Sequence, residues 1–203
     1  MPPLEEITLR TGEVIVVRTV RHFAKKALVA LVIAIGLPGS VMLMASAANA
    51  QDVRTAASMT ALKEKTAKLG APRIEVTDDI GGKRVPVLYF GSTKMNDDFT
   101  LVDEVAKESG PGMVVTLFVK AGHQLEQHAP LGVFIRIATT VVLPDGRRAV
   151  GTVMMSPAVD SIKAGYPYFG EVEILGTAYM TRYEPIKDVS GETIGAYFVG
   201  YKK

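Results

Sequence analysis

The residue best suited to hold an anion is Arg136, set in the apolar run Phe134-Ile135-Arg136-Ile137-Ala138-Thr139-Thr140. Strand alternation puts Phe134, Arg136, Ala138 and Thr140 on one face and Ile135, Ile137 and Thr139 on the other. A guanidinium among apolar neighbours is costly unless paired. A carboxylate ligand is one partner, gripped by two parallel hydrogen bonds from the planar fork. The alternatives are a structural ion pair with Glu171 or Glu184, or an outward-facing Arg with only its stem covered.

Tyrosine is the second signal. Six of the seven follow residue 160: Tyr166, Tyr168, Tyr179, Tyr183, Tyr197 and Tyr201. Tyr179, Thr181 and Tyr183 alternate onto one strand face. Their hydroxyls would orient a small polar ligand while the rings exclude water. Tyrosine is also a good strand residue, which is the reading for Tyr197 and Tyr201. Lys163 and Lys187 flank the region, as added positive charge or as solvated loop lysines. The candidate ligand-binding set is therefore Arg136, Tyr179, Tyr183, Tyr166, Tyr168, Thr181, Phe134 and Lys187.

Other clusters carry less. His123 and His128 flank Glu126, but the spacing matches no zinc motif and the segment reads as a solvated loop. Asp78-Asp79 and Asp97-Asp98 lack the 12-residue calcium-loop pattern and read as a turn and a helix cap. No nucleophile elbow, P-loop, dinucleotide fingerprint or zinc-protease helix is present, so no catalytic residue, metal or cofactor is expected and the chain is not read as an enzyme. With no Cys among 203 residues, disulfides, thiolate metal sites and cysteine nucleophiles are excluded. The 23 basic and 21 acidic residues leave a net charge of +2, too little for an electrostatic nucleic-acid binder.

The surplus charge sits before the first apolar run. Arg18 to Lys26 reads RTVRHFAKK, and Ala27 to Ala50 follows without a charge. A basic stretch, an apolar stretch and a small-x-small end, here Ala48-Asn49-Ala50, make a secretory signal peptide. The expected organisation is a signal peptide over 1–50 and one domain over 51–203, delivered to the periplasm. The alternative is an uncleaved inner-membrane anchor facing the periplasm, since the uncharged run would span with some tilt.

The elements that must position these groups change character along the chain. Gln51 to Ala71 is helix-like, with Ala56, Met59, Leu62 and Leu69 at helical spacing, Gly70 as C-cap and Pro72 as stop. Lys83 to Phe90 is a short strand that Pro86 assigns to a sheet edge. Asn96-Asp97-Asp98 caps a helix carrying Phe99, Leu101, Val102 and Val105 and ending at Gly110-Pro111-Gly112. Strands follow at Met113–Lys120, Gly132–Leu143, Arg148–Met154, Tyr168–Ile174, Ala178–Pro185 and Thr193–Tyr201, with a short helix over Pro157–Lys163. Closely spaced strands with tight turns form an antiparallel sheet, and helices before it make the fold α+β.

The ordered set Asp98-Phe99-Thr100-Leu101-Val102-Asp103-Glu104-Val105, Thr116-Leu117-Phe118-Val119, Phe134 to Thr140, Asp145 to Thr152, Gly165-Tyr166-Pro167-Tyr168-Phe169-Gly170, Tyr179 to Asp188 and Val199-Gly200-Tyr201 resembles the single Cache sensor domain, in its Cache 3/Cache 2 fusion form. The likeness covers roughly Leu69 to Tyr201. It implies a PAS-like antiparallel sheet, a long N-terminal helix on one face and a small-molecule pocket on the other. It further implies a small carboxylate as ligand, and the extracytoplasmic setting of chemoreceptors and sensor kinases. Two departures stand out: the hairpin after Val119 is long, and the chain stops at Lys203, just past the last strand, so that no signalling output of its own is expected. The resulting expectation is a monomeric or weakly dimeric sensor domain that hands its occupied state to a membrane receptor or kinase. A ligand-free interaction module is the runner-up and an enzyme the third reading. An accessible cavity at Arg136 and Tyr179 favours binding; one filled by side chains favours the interaction module.

Overall fold

The computed structural model describes residues 7–8, 14–15, 42–80, 82–121 and 132–203. It divides into two units, 1–38 and 39–203. In the first, β1 (Ile7–Thr8) pairs antiparallel with β2 (Val14–Ile15), Ile7 opposite Ile15. The candidate site lies wholly in the second unit.

The second unit opens with α1 (Met42–Leu69), followed by β3 (Pro72–Ile80), β4 (Lys83–Phe90), β5 (Thr93–Lys94) and α2 (Thr100–Ser109). Then come β6 (Met113–Ala121), β7 (Val133–Thr139), α3 (Ala158–Lys163), β8 (Tyr168–Ile174), β9 (Thr177–Lys187) and β10 (Thr193–Lys202). Five strands form an antiparallel sheet in the order β7-β6-β10-β9-β8, and β3-β4-β5 form a smaller antiparallel sheet. The α+β expectation holds.

Period-2 alternation divides the core into two layers across the large sheet. On one side Val115, Leu117 and Val119 of β6, Tyr197 and Val199 of β10 and Ile186 of β9 meet Met59 and Leu62 of α1, Val102 and Val105 of α2, and Leu88 and Phe90 of β4. On the other, Phe118, Ala196, Phe198, Tyr183, Val172 and Ile174 meet Ala158 and Ile162 of α3. Ion pairs at the rim fasten α1: Lys63 to Glu184 at 2.6 Å, Lys65 to Glu104 at 2.8 Å, and Asp52 to Arg182 at 2.7 Å.

Several sequence assignments change. The expected helix over 51–71 begins earlier, at Met42, and ends at Leu69. Pro72 does not stop the chain's order but starts β3, and the Asp78-Asp79 turn is part of that strand. Pro86 sits in the middle strand of three, not at an edge. It is tolerated because β5 reaches only Tyr89 and Phe90, and because β3 bulges between Glu75 and Thr77 beside it. Asn96 is buried and does not cap α2. Its side chain accepts the Leu88 amide at 3.0 Å and donates to the Pro86 carbonyl at 3.1 Å. Asp98 Oδ1 takes the Thr100 amide instead, at 2.9 Å.

The segment Arg148–Met154 is not a strand. It runs beside β7, with an isolated bridge at Ile135–Val153, and beside the chain just past β7, with a second at Val142–Arg148. Gly151 at φ +74° and the Thr152 hydroxyl, which donates to the Ala149 carbonyl at 2.7 Å, break a regular ladder there. Strand β7 itself ends at Thr139, short of the expected Leu143. The Thr139 hydroxyl accepts the Val141 amide at 3.1 Å and turns the chain.

Candidate functional site

Arg136 lies on the α3 side of the large sheet, as alternation from Phe134 requires. Phe118 stands directly opposite it on β6. Between Leu117 and Phe118 the register shifts, so that Ile137 is the extra residue of a bulge in β7. Ala138 is thereby carried to the helix-side core with Ile135 and Ile137, which corrects the expectation that Ala138 shares the Arg136 face.

Four aromatic rings build the wall beside the guanidinium. Tyr183 packs on Phe198 with centroids 4.7 Å apart, on Tyr168 at 6.1 Å and on Phe118 at 6.5 Å. Phe118 meets Phe198 edge-on at 6.4 Å. The Arg136 guanidinium stacks over the Phe118 ring at 5.1 Å, a cation–π contact strengthened by desolvation. Register explains the assembly: Tyr183 is the direct partner of both Phe198 and Tyr168.

The charge on Arg136 is nearly uncompensated. Nη1 donates to Thr152 Oγ1 at 2.7 Å, and Nε is buried without a hydrogen-bond partner. No acidic side chain among the described residues pairs with it. The two carboxylates that sequence offered are engaged elsewhere, Glu184 with Lys63 at 2.6 Å and Glu171 with Lys203. Burial disfavours the charged guanidinium and pulls its pKa down, while the nearby Tyr183 phenol raises it slightly. Burial likewise pushes the Tyr183 hydroxyl up, opposed by a hydrogen bond to Ser156 and by the Arg136 charge. The two groups therefore act on each other electrostatically, and one segment carries both the Thr152 hydroxyl that holds Arg136 and the Ser156 hydroxyl that acts on Tyr183.

The structure brings together Arg136, Phe134, Tyr168 and Tyr183. Tyr179 and Thr181 share the Tyr183 face of β9 but lie further along it: Thr181 donates to the Gly170 carbonyl at 2.7 Å, and Tyr179 packs at the margin of the aromatic layer. Tyr166 is 68% exposed, and Lys187 is an exposed group whose ammonium lies beside Gly165. Phe118, Phe198, Thr152 and Ser156 escaped the sequence reading. The alternation of β6 and β10 was a usable signal for the two Phe; Thr152 sits on the segment misread as a strand, and Ser156 in the short gap between it and the helix expected from Pro157.

Two other places need mention. A shallow cleft of about 360 Å³ is lined by residues 71–74, Gly91 and Asp188–Val189. Its Arg73 is committed to Glu75 at 2.6 Å and to the Tyr89 ring, and Asp188 accepts three hydrogen bonds within its own turn. Among the described residues no group of three metal-ligating side chains converges. His123, Glu126 and His128 lie outside the described residues.

An antiparallel sheet with α1 and α2 on one face, and α3 over a polar-tipped aromatic layer on the other, is an α+β architecture. The sequence places it further: the model of the Cache 3/Cache 2 fusion domain matches residues 37–203, and the chain belongs to that family. Cache domains are extracytoplasmic small-molecule sensors that sit in receptors. No curated protein and no solved structure matches the chain. Among the described residues no helix is long and apolar enough to cross a membrane.

Proposed function

We propose that this chain is a periplasmic sensor domain for a small organic acid, with Arg136 as the carboxylate anchor and Tyr183 as its orienting hydroxyl. One observation carries the reading: a guanidinium with a buried, unbonded Nε, no acidic partner among the described residues, and a tyrosine hydroxyl within its electrostatic reach. A buried cation of this kind is costly until an anion meets it. A carboxylate supplies two acceptor oxygens to the guanidinium and one contact to the phenol. Phe118, Phe134, Tyr168 and Phe198 exclude water and hold the dielectric low, which strengthens each bond. Residues 1–50 act as the export signal, the domain over 51–203 works as a monomer or weak dimer, and the occupied state passes to a membrane receptor or kinase.

The test is a thermal-shift series on the purified protein with acetate, propionate, pyruvate and succinate, and with amino acids and amines as controls. A ligand that binds only the folded state at 100 times its dissociation constant adds about 2.7 kcal/mol, or about 5–10 °C for a chain of this size. Carboxylates shifting the midpoint while amines do not supports the reading; no shift from any carboxylate refutes it. A second reading, a ligand-free module that docks on a membrane partner, draws support from the fully buried side chains of Phe118, Phe134, Tyr183 and Phe198 around Arg136.

A further inference from the structure

The segment from Gly151 to Gly165 covers the anchor and uses its binding groups. Thr152 Oγ1 accepts from the guanidinium at 2.7 Å while donating to the Ala149 carbonyl at 2.7 Å. Four residues on, the Ser156 hydroxyl accepts the Ala158 amide at 3.1 Å and stands close enough to the Tyr183 phenol to lower its pKa against the rise from burial. Between them Met154 is buried against Phe134, its amide donating to the Phe134 carbonyl at 2.8 Å, while Met155 is 84% exposed. Ala158 and Ile162 of α3 rest on the aromatic layer. At the two ends stand Gly151 and Gly165, at φ +74° and +80°, conformations that side chains rarely adopt. The segment forms no continuous strand with β7. One bridge, Ile135–Val153, and three backbone hydrogen bonds tie it there: Arg136 amide to Thr152 carbonyl at 3.0 Å, Gly151 amide to Arg136 carbonyl at 2.9 Å and Met154 amide to Phe134 carbonyl at 2.8 Å. Its first four residues thus stay anchored, while the part beyond Met154 is free of that pairing.

We propose that this segment is a latch: the Thr152 and Ser156 hydroxyls occupy the anion-binding groups of Arg136 and Tyr183, and a carboxylate binds by displacing them. This rests on the carboxylate-site reading above. The chemistry favours the exchange. A neutral hydroxyl is a weaker acceptor for a guanidinium than a carboxylate, whose charge-assisted bonds are roughly twice as strong. Thr152 leaves Nε unbonded, and a two-oxygen acceptor would satisfy it. Because both hydroxyls belong to one stretch of chain, a ligand that takes Arg136 and Tyr183 releases the segment at two points, and its exposed outer face at Met155 changes position. Binding energy is thereby converted into movement of one bounded segment, and the closed latch lowers the apparent affinity by the fraction of molecules in which it is open.

The sign of one substitution decides the matter. Thr152→Val keeps the branched shape and deletes the oxygen; Ser156→Ala does the same at the other contact and serves independently if Thr152→Val folds poorly. Calorimetry with propionate and with succinate should show each variant binding about three- to tenfold tighter than the parent. Hydrogen exchange of the parent should show residues 151–165 exchanging faster when propionate or succinate is added. If the parent binds either acid and both variants bind equally or more weakly, the hydroxyls are ligand contacts or scaffolding and the latch is wrong, while the anion site stands. Protection of 151–165 on binding overturns the latch in the same way. If neither the parent nor any variant, including the double variant, binds either acid, the anion site itself falls and the latch with it.

Discussion

Arg136 and Phe118 are direct cross-strand partners, and the guanidinium lies 5.1 Å above the ring it faces. The bulge at Ile137 makes this pairing: without it Arg136 would stand out of register with Phe118 and Ala138 would share its face. One extra residue thus stacks the cation on a ring that is wholly buried. An aromatic face lowers the cost of burying the cation but leaves its hydrogen-bonding fork free for an acceptor.

Arg136→Ala should abolish carboxylate binding, a loss on the order of 2–5 kcal/mol for removing one member of a desolvated hydrogen-bonded charge pair. Arg136→Lys should also bind poorly, since an ammonium cannot copy the fork. Because no protein acid is left orphaned, Arg136→Met should fold at least as stably as the parent. Calorimetry with the acid that shifts the melting point most, beside urea denaturation, checks all three. Normal binding by Arg136→Ala would place the anchor elsewhere; unfolding of Arg136→Met would make the residue structural.

Tyr197 gives a pH prediction. Its hydroxyl contacts Thr66 Oγ1 of α1 at 3.0 Å, and burial pushes its pKa up to about 12. The folded state therefore holds this proton more tightly than the unfolded chain, where tyrosine titrates near 10. The associated stability is complete below pH 10 and is lost as pH climbs towards 12, by roughly 2–3 kcal/mol from the size of the shift. Urea midpoints at pH 8, 10 and 11 should fall in the parent and fall less in Tyr197→Phe. Parallel declines in the two proteins would assign the alkaline loss to another group.

Gly91 should tolerate no side chain. It sits at φ +56° directly beneath the end of α1, where a Cβ would collide with the Leu69 carbonyl oxygen. Its amide also donates to the Ala71 carbonyl at 3.0 Å, so the backbone cannot swing away without losing that bond. Gly91→Ala should cost more than about 2 kcal/mol by denaturant titration, well above the strain of a positive φ alone. Gly176→Ala, at φ +77° with open space around it, should cost less and isolates the steric part.

How much of this was legible in the chain varied with the kind of signal. The apolar run Met113–Lys120 announced its strand because it is buried on both faces, and Tyr168–Ile174 because Val172 and Ile174 are buried while Glu171 and Glu173, which alternate with them, are exposed. Arg136 and Tyr183 followed from the same alternation. The β7 bulge did not, since a single inserted residue leaves an apolar run that reads identically with or without it. Strand β3 was hidden because RIEVTDD carries charges on an edge strand, where packing does not select for apolar residues. Thr152 and Ser156 were hidden because their roles depend on where an irregular segment lies in space, which no periodicity encodes.

Export gives the last prediction. Basic residues before an apolar run ending at Ala48-Asn49-Ala50 should direct cleavage, leaving Gln51 as the first residue of the periplasmic protein. Mass spectrometry of the periplasmic fraction reads this directly; an intact chain in the inner membrane would favour the anchor. Cleavage there gives Asp52 a defined load. It becomes the second residue of the mature chain, in the first turn of the shortened α1, with a new positive amino group beside it. Its carboxylate accepts from Arg182 Nη2 at 2.7 Å, and the Nε of Arg182 is already buried without a partner. A carboxylate at that place both complements the helix N-terminus and keeps a half-enclosed guanidinium paired. Asp52→Asn should therefore lower the stability of the mature protein by about 1 kcal/mol, at the upper end for a partly exposed pair, and the loss should shrink in high salt. Urea midpoints of parent and variant at low and at 1 M sodium chloride measure both effects. A variant as stable as the parent at low salt would mean that the start of α1 is held by its apolar contacts alone.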